Sequence, residues 1–188
     1  MNLQTKMPTT ADEFLRWEGG REDLKYELVE GRVESRPRGE TRAHNHVVSG
    51  LVFAISSQLD RWEFDVGGPG FCVLTSAGVR RPDVLVDRRM PETRGSDLAA
   101  RHPTIIVEVL SPSSRERDLL EKVADYLPVP TLLHYAVFAQ DEPKVWLWSR
   151  SATGGWSNPI EADGVNSSVE LTRLGIIIQL APLFGWSA

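Results

Sequence analysis

The sequence contains a single cysteine, Cys72, among 188 residues. One cysteine cannot form an intrachain disulfide, and it excludes a zinc site built from several cysteines. This usage suits a reducing compartment, so we expect a cytoplasmic protein. We expect Cys72 to be a small buried hydrophobic residue rather than a nucleophile.

Long apolar segments and an excess of positive charge are also missing. The aliphatic runs are only a few residues long, as at 176–178, whereas a membrane helix needs about 20. The first thirty residues do not join a basic start to an apolar run, so we expect neither a signal peptide nor a membrane partner. The formal net charge is -5. A nucleic-acid role would therefore depend on a local basic surface or on metal ions.

The sequence as a whole is 41% hydrophobic and 8% aromatic, which is typical of a globular domain. The length predicts one domain over residues 1–188. Capping residues and apolar spacing predict helices over 10–17, 43–59 and 113–126. Apolar runs and turn residues predict a hairpin turn at 67–70 and strands at 26–29, 33–36, 84–86, 104–110, 134–139, 144–148 and 176–180. We predict an α/β or α+β fold, with one central mixed β-sheet flanked by helices.

Two acidic residues lie where core residues are expected. Asp83 leads directly into the aliphatic run 84–86, and Glu108 interrupts the run 104–110. A carboxylate in a central strand costs on the order of several kcal/mol unless it is paired or binds a metal. The two could meet at one site, where a divalent cation with oxygen ligands would relieve their repulsion.

A lysine on the following helix is the third candidate. Asp118, Lys122 and Tyr126 recur at i, i+4 and share one helix face, which can lie over the strand bearing Glu108. Lys122 could then pair with the carboxylates or stabilise charge at a phosphorus centre. From the spacing alone, a surface pair between Asp118 and Lys122, worth about a few tenths of a kcal/mol, is the stronger interpretation.

Basic residues near these acids are further candidates. Arginines lie around the first hairpin and on both sides of the Asp83 strand, at positions 32, 36, 38, 42, 80, 81, 88 and 89. They could form a phosphate-binding rim, but acids lie between them, so solvated loop charge is an equal alternative. His44 and His46 stand at the start of the second predicted helix. One of them could line the site, although a structural role is commoner there.

These residues occur in an order that resembles a known family. Tyr26–Gly31, Arg81–Val84, Val107–Ser113 and the helix residues Asp118, Glu121, Lys122 and Tyr126 follow one another as in the "putative restriction endonuclease" family of the PD-(D/E)xK nuclease superfamily. The resemblance implies a restriction-endonuclease-like fold. It also implies a cytoplasmic endonuclease that uses Mg²⁺, or Mn²⁺, to hydrolyse phosphodiester bonds, with DNA as the expected substrate.

The resemblance also assigns roles to residues. It implies catalytic roles for Glu27, Asp83, Glu108 and Lys122, substrate contacts for Arg81 and Tyr126, and a metal held by Asp83, Glu108 and the Val109 carbonyl oxygen. One position departs from the superfamily pattern: the residue two after Glu108 should be lysine and is Leu110. Lys122 takes that role by hypothesis.

Two other classes of function stay open. The acidic net charge and Leu110 are also compatible with a nuclease-fold binding or oligomerisation module that has no turnover. Alternatively, the acids are merely paired with arginines such as Arg81 in a structural protein. If the chain is a nuclease, a homodimer would provide two sites for two strands.

Overall fold

The structure is a computed structural model that describes residues 7–17, 20–37, 40–110 and 115–184, with residues 37 and 115–120 described by their backbone only. The helices of these residues are α1 (Ala11–Leu15), α2 (Arg42–Ser56), α3 (Arg115–Tyr126) and α4 (Ala181–Phe184). The strands are β1 (Leu24–Val29), β2 (Arg32–Pro37), β3 (Phe64–Gly67), β4 (Cys72–Thr75), β5 (Gly78–Arg80), β6 (Val84–Arg88), β7 (Ala99–Ala100), β8 (Pro103–Leu110), β9 (His134–Ala139), β10 (Lys144–Ser149), β11 (Ile160–Asp163), β12 (Ser168–Leu171) and β13 (Ile176–Gln179).

A six-stranded mixed sheet forms the centre of the fold, in the order β11-β10-β9-β8-β6-β3. Strand β8 runs parallel to β9 and antiparallel to β6. A five-stranded sheet has the order β2-β1-β5-β4-β7, and β12 pairs with β13. The predicted fold class is therefore confirmed, although the strands are divided among three sheets rather than gathered in one.

Strand β8 is buried along all eight residues because both of its faces are covered. Ile105, Val107 and Val109 belong to the apolar cluster that includes the inner face of α2. Ile106 and Leu110 belong to the opposite cluster, together with Tyr126 of α3. Side chains alternate along a strand, so position 108 must face α3. The fold thus directs Glu108 into the interior between β8 and α3.

Local signals for turns and caps are only partly confirmed. Thr10 caps α1 with a complete capping box, and the turn between β1 and β2 has positive φ at Glu30 (49°) and Gly31 (73°), as the hairpin requires. The hairpin turn predicted at residues 67–70 is wrong. Residues 68–71 instead connect β3 of the six-stranded sheet to β4 of the five-stranded sheet. Glycine and proline mark where strands end, but long-range pairing decides which strand comes next.

Several smaller predictions can also be compared with the fold. Cys72 is buried at 3% exposure in a cluster with Phe14 and Val79, as expected. No helix in the described part of the chain is long and apolar enough to cross a membrane. The proposed cap at residues 113 and 114 lies outside the described residues.

A buried histidine makes the stability of the fold dependent on pH. His134 is fully buried, and its Nε2 accepts the backbone N–H of Arg173 at 3.2 Å. Its proton is then on Nδ1, 3.0 Å from Ser149 Oγ. Burial, together with the charge of Arg173, lowers the pKa of His134 to about 4.

We therefore expect stability to fall as the pH drops from about 6.5 towards 4, because the unfolded chain takes up a proton there and the folded one does not. The slope contributed by His134 is at most about 1.4 kcal/mol per pH unit. Urea unfolding of wild type and of His134→Gln between about pH 6.5 and 4 measures this contribution to the free energy of unfolding. Parallel stability curves for the two proteins would refute the assignment.

Candidate active site

The first acidic residue closes an edge that the central sheet leaves open. The pairing of β6 with β8 ends at Val84 opposite Val107, whereas β8 continues to Leu110 against β9 alone. Asp83, just before β6, covers this open edge: its Oδ2 accepts the backbone N–H of Val109 at 2.9 Å. The N–H and C=O of one residue in a strand point to the same side, so the Val109 carbonyl also faces this edge.

Two further side chains hold the Asp83 carboxylate. Lys25 Nζ lies 3.4 Å from Oδ1, and His44 Nε2 lies 3.3 Å from Oδ2. Burial acts to raise the pKa of Asp83, which is only 5% exposed. The hydrogen bond and charge of His44, together with the charges of Lys122 and Lys25, outweigh it and lower the pKa to about 2. Asp83 is therefore ionised at neutral pH.

Glu108 is the most deeply buried acid of the site, at 2% exposure. Its Oε2 lies 2.7 Å from Lys122 Nζ, and its Oε1 accepts the Tyr126 hydroxyl at 2.9 Å. One turn of α3 separates these two partners, so both reach the same carboxylate. Burial raises the pKa of Glu108 to about 7; Lys122 opposes this, while the charges of Asp83 and Glu27 add to it.

Lys122 is the cation of this interior cluster. It is only 6% exposed, so the alternative of a surface pair with Asp118, whose side chain lies outside the described residues, is wrong. Burial acts to lower the pKa of Lys122, but the charges of Glu108, Glu27 and Asp83 raise it above its ordinary value. The lysine therefore keeps its charge beside the acids.

Glu27 belongs to a neighbouring ion-pair network. Its Oε2 accepts Arg80 at 3.0 Å and its Oε1 accepts the backbone N–H of Arg81 at 2.9 Å. Arg80 also donates from Nε to Asp125 of α3 at 2.8 Å. Burial acts to raise the pKa of Glu27, but Lys122, the Arg81 N–H and Arg80 lower it. The network fastens β1 and α3 to the segment that leads into Asp83.

The structure thus brings Asp83, Glu108, Lys122 and Tyr126 into one cluster, with Glu27 close behind it. Sequence reasoning did not assign Lys25 to the site and favoured a structural role for His44. A signal for His44 existed, because it lies three and four residues before Val47 and Val48 on the buried face of α2. Lys25 carried no local signal, since its place at Asp83 depends on how β1 packs.

The arginines of the predicted rim lie in different surroundings. Arg81 is half-buried and lines a cavity beside the site. Arg80 is buried at 3% exposure against Glu27 and Asp125, so it does not belong to a rim. Arg88 and Arg89 pair with Glu63 and Asp65 at the far end of β6, about 16 Å from Asp83 at the usual strand rise. Arg38 lies outside the described residues.

The oxygen atoms of this cluster could hold Mg²⁺ only if waters or substrate phosphate complete its coordination. The described residues contain no group of three or more His, Cys, Asp or Glu side chains placed to hold a metal. Mg²⁺, however, is usually bound through only one or two carboxylates together with waters and substrate phosphates. Asp83, Glu108 and the Val109 carbonyl supply such oxygens. Burial is the main cause of the raised pKa of Glu108, and the charges of Asp83 and Glu27 add to it. A bound cation would act in the opposite direction and favour the ionised carboxylate.

A mixed central sheet with two buried acids and a lysine beside the end of one strand is the arrangement expected of a restriction-endonuclease-like protein. The chain belongs to the Uma2 family, described as "Putative restriction endonuclease", whose model matches residues 11–181. The resemblance read from the sequence is thereby confirmed.

Similar proteins can be aligned with most of the chain. In Synechocystis sp. (strain ATCC 27184 / PCC 6803 / Kazusa), the uncharacterized protein slr1290 is 26% identical over 77% of this chain and 76% of its own length. In the same organism, the uncharacterized protein sll1609 is 27% identical over 92% of this chain and 97% of its own. The crystal structure of "a putative nuclease belonging to DUF820" from Anabaena variabilis ATCC 29413 matches with a TM-score of 0.73. It covers 95% of this chain and 99% of the other, at 18% identity, and supports the fold.

Proposed function

We propose that the protein is a Mg²⁺-dependent endonuclease that hydrolyses phosphodiester bonds in DNA. The observation that carries this proposal is the placement of Asp83 on the end of β8 that no described strand covers, with Glu108 and Lys122 paired beside it, near enough for the charges of all three to act on one another. Membership in a nuclease family supports it. DNA as the polymer and a homodimeric assembly stay predictions.

In this proposal Asp83, Glu108 and the Val109 carbonyl hold Mg²⁺, or Mn²⁺ in its place. When bound, the ion supplies positive charge to the scissile phosphate and lowers the pKa of a coordinated water. The hydrogen bond from the Val109 N–H and the contact with His44 fix the orientation of the Asp83 carboxylate. Substrate phosphate would complete the ligand set, which agrees with the small number of protein ligands.

Lys122 and Tyr126 both contact the Glu108 carboxylate. Lys122 keeps its charge because three acids surround it, so it adds positive potential where negative charge develops in the reaction. Tyr126 is fully buried and donates its hydroxyl to Glu108. In our proposal Tyr126 therefore positions this carboxylate, and contact with substrate is not part of its role.

A cleavage assay tests the function directly. Supercoiled plasmid, linear duplex and single-stranded DNA are incubated with the protein in Mg²⁺, in Mn²⁺ and in EDTA. We expect cleavage in either metal and none in EDTA. Intact substrates under all conditions, with a protein whose folding is verified by circular dichroism, would favour the nuclease-fold module without turnover.

Substitution of the site lysine separates its role from that of the acids. We expect Lys122→Ala to lower the cleavage rate by about 10²–10³-fold, because a preorganised charge at the reacting phosphate is removed. Metal affinity should stay within about tenfold, since both carboxylates remain. Single-turnover rates together with Mn²⁺ titrations measure the two effects. An unchanged rate would show that Lys122 is only the counter-ion of Glu108.

A further inference from the structure

A cavity opens directly beside the candidate active site. It encloses about 470 Å³, and its walls include Lys25 and Arg81. Lys25 Nζ lies 3.4 Å from Asp83 Oδ1, and the backbone N–H of Arg81 holds Glu27. The cavity therefore adjoins the site through two cationic residues, one of which touches a proposed metal ligand.

Aromatic rings form another wall of this cavity. Trp17 and Tyr26 are half-buried and meet edge to face with their ring centroids 5.1 Å apart. Phe14 lies behind them, 6.2 Å from Trp17, and is itself buried. The cavity thus combines half-buried ring surface with the cations Lys25 and Arg81. Its walls also include Glu22 and Glu40, and Lys25 Nζ lies 2.5 Å from Glu40 Oε1, so a phosphate would have to compete with Glu40 for Lys25.

This combination is complementary to one nucleotide. Aromatic rings stack on bases of any sequence, and basic side chains follow the phosphates that join them. A volume of about 470 Å³ lies within the ordinary range for small-molecule sites and is too small for a duplex. A base inside a duplex is stacked on both faces and cannot enter such a cavity unless it is extruded.

We propose that this cavity binds an unpaired, unstacked nucleotide adjoining the scissile phosphate, so that single-stranded nucleic acid is the preferred substrate. The inference rests on the proposed function, since the carboxylates define which phosphate is cut. Trp17 and Tyr26 contact the base, and Lys25 and Arg81 contact the phosphates between the cavity and Asp83.

Binding measured in EDTA tests the inference without cleavage. A short fluorescein-labelled oligodeoxynucleotide is titrated with the protein by anisotropy, both as a single strand and annealed to its complement. We expect at least about tenfold tighter binding of the single strand. Trp17→Leu should weaken single-strand binding about tenfold and leave duplex binding unchanged. The matched control is Trp62→Leu, which removes an exposed tryptophan that lines a different cavity and should change neither affinity.

Quenching of tryptophan fluorescence by thymidine 5′-monophosphate provides a second readout. It should be saturable in wild type and in Trp62→Leu, and it should be lost in Trp17→Leu. If Trp17→Leu does not fold, the affinities of the wild-type protein for single strand and for duplex still test the inference. Equal affinity for strand and duplex, or quenching that survives in a folded Trp17→Leu, would overturn the inference.

The cleavage assay separates this inference from the proposed function. If the protein cuts single strand and duplex equally in Mg²⁺, and Trp17→Leu does not change the rate, the cavity does not bind a nucleotide but the proposed nuclease activity stands. If single-strand binding depends on Trp17 but no metal supports cleavage, the cavity binds a nucleotide and the proposed nuclease activity is wrong.

Discussion

Replacement of Asp83 by asparagine, or of Glu108 by glutamine, is expected to lower the rate of Mg²⁺-dependent cleavage by about a thousandfold or more. In the proposed site, either change removes an oxygen ligand of the metal, and a bound metal contributes on the order of several kcal/mol of charge stabilisation, with each factor of ten equal to about 1.4 kcal/mol. The amide oxygen of asparagine can still accept the Val109 N–H, so we expect the Asp83→Asn protein to fold. Plasmid and oligonucleotide cleavage, followed as single turnovers, measure the loss.

The matched control for these variants is Glu170→Gln. Glu170 is an exposed acid on β12, so its replacement removes the same charge away from the site. Its cleavage rate should equal that of wild type. If Asp83→Asn and Glu108→Gln both cut as fast as this control, neither carboxylate holds a catalytic ion and the proposed function is wrong.

Replacement of Arg80 by methionine is expected to cost about 3–5 kcal/mol of stability. Arg80 is buried, donates to Glu27 at 3.0 Å and pairs with Asp125 on its other side. Its loss leaves two largely buried carboxylates without their shared cation, and removing one partner of a buried pair is far more costly than removing all of them. Urea unfolding monitored by circular dichroism gives the change.

The neutral triple variant tests whether charge is the cause. Arg80→Met combined with Glu27→Gln and Asp125→Asn removes the unpaired acids, so most of the lost stability should return. A triple variant as unstable as the single one would show that the packing of the Arg80 side chain matters more than its charge. Recovery would show that the unpaired charges of Glu27 and Asp125 cause the instability of the single variant.

The parts of the site that could be predicted are those encoded within one element. Glu108 was visible because a single acid interrupts a run of strand-forming residues that is buried on both faces. The i, i+4 spacing placed Lys122 and Tyr126 on one helix face, but from spacing alone it favoured a surface pair of Lys122 with Asp118, and the family resemblance assigned both residues to the site. Such periodicities are local, and they hold whatever the remainder of the chain does.

The parts that were missed depend on contacts between distant segments. Lys25 reaches Asp83 only because the five-stranded sheet packs at the end of β6, and no residue near Lys25 indicates this. Arg80 looked like one of several loop arginines, yet its partners lie 53 and 45 residues away. The division into separate sheets was also missed, because strand pairing depends on the hydrophobic partners available elsewhere in the chain.

Calorimetric titration of the protein with Mn²⁺ and Mg²⁺ tests the proposed metal site itself. We expect wild type and Glu170→Gln to bind a divalent ion, and the double variant Asp83→Asn/Glu108→Gln to have lost this binding. The titration is performed with and without a non-cleavable oligonucleotide, because substrate phosphate is expected to complete the ligand set. Absence of binding in both cases, or equal binding by the double variant, would show that Asp83 and Glu108 do not hold a metal ion.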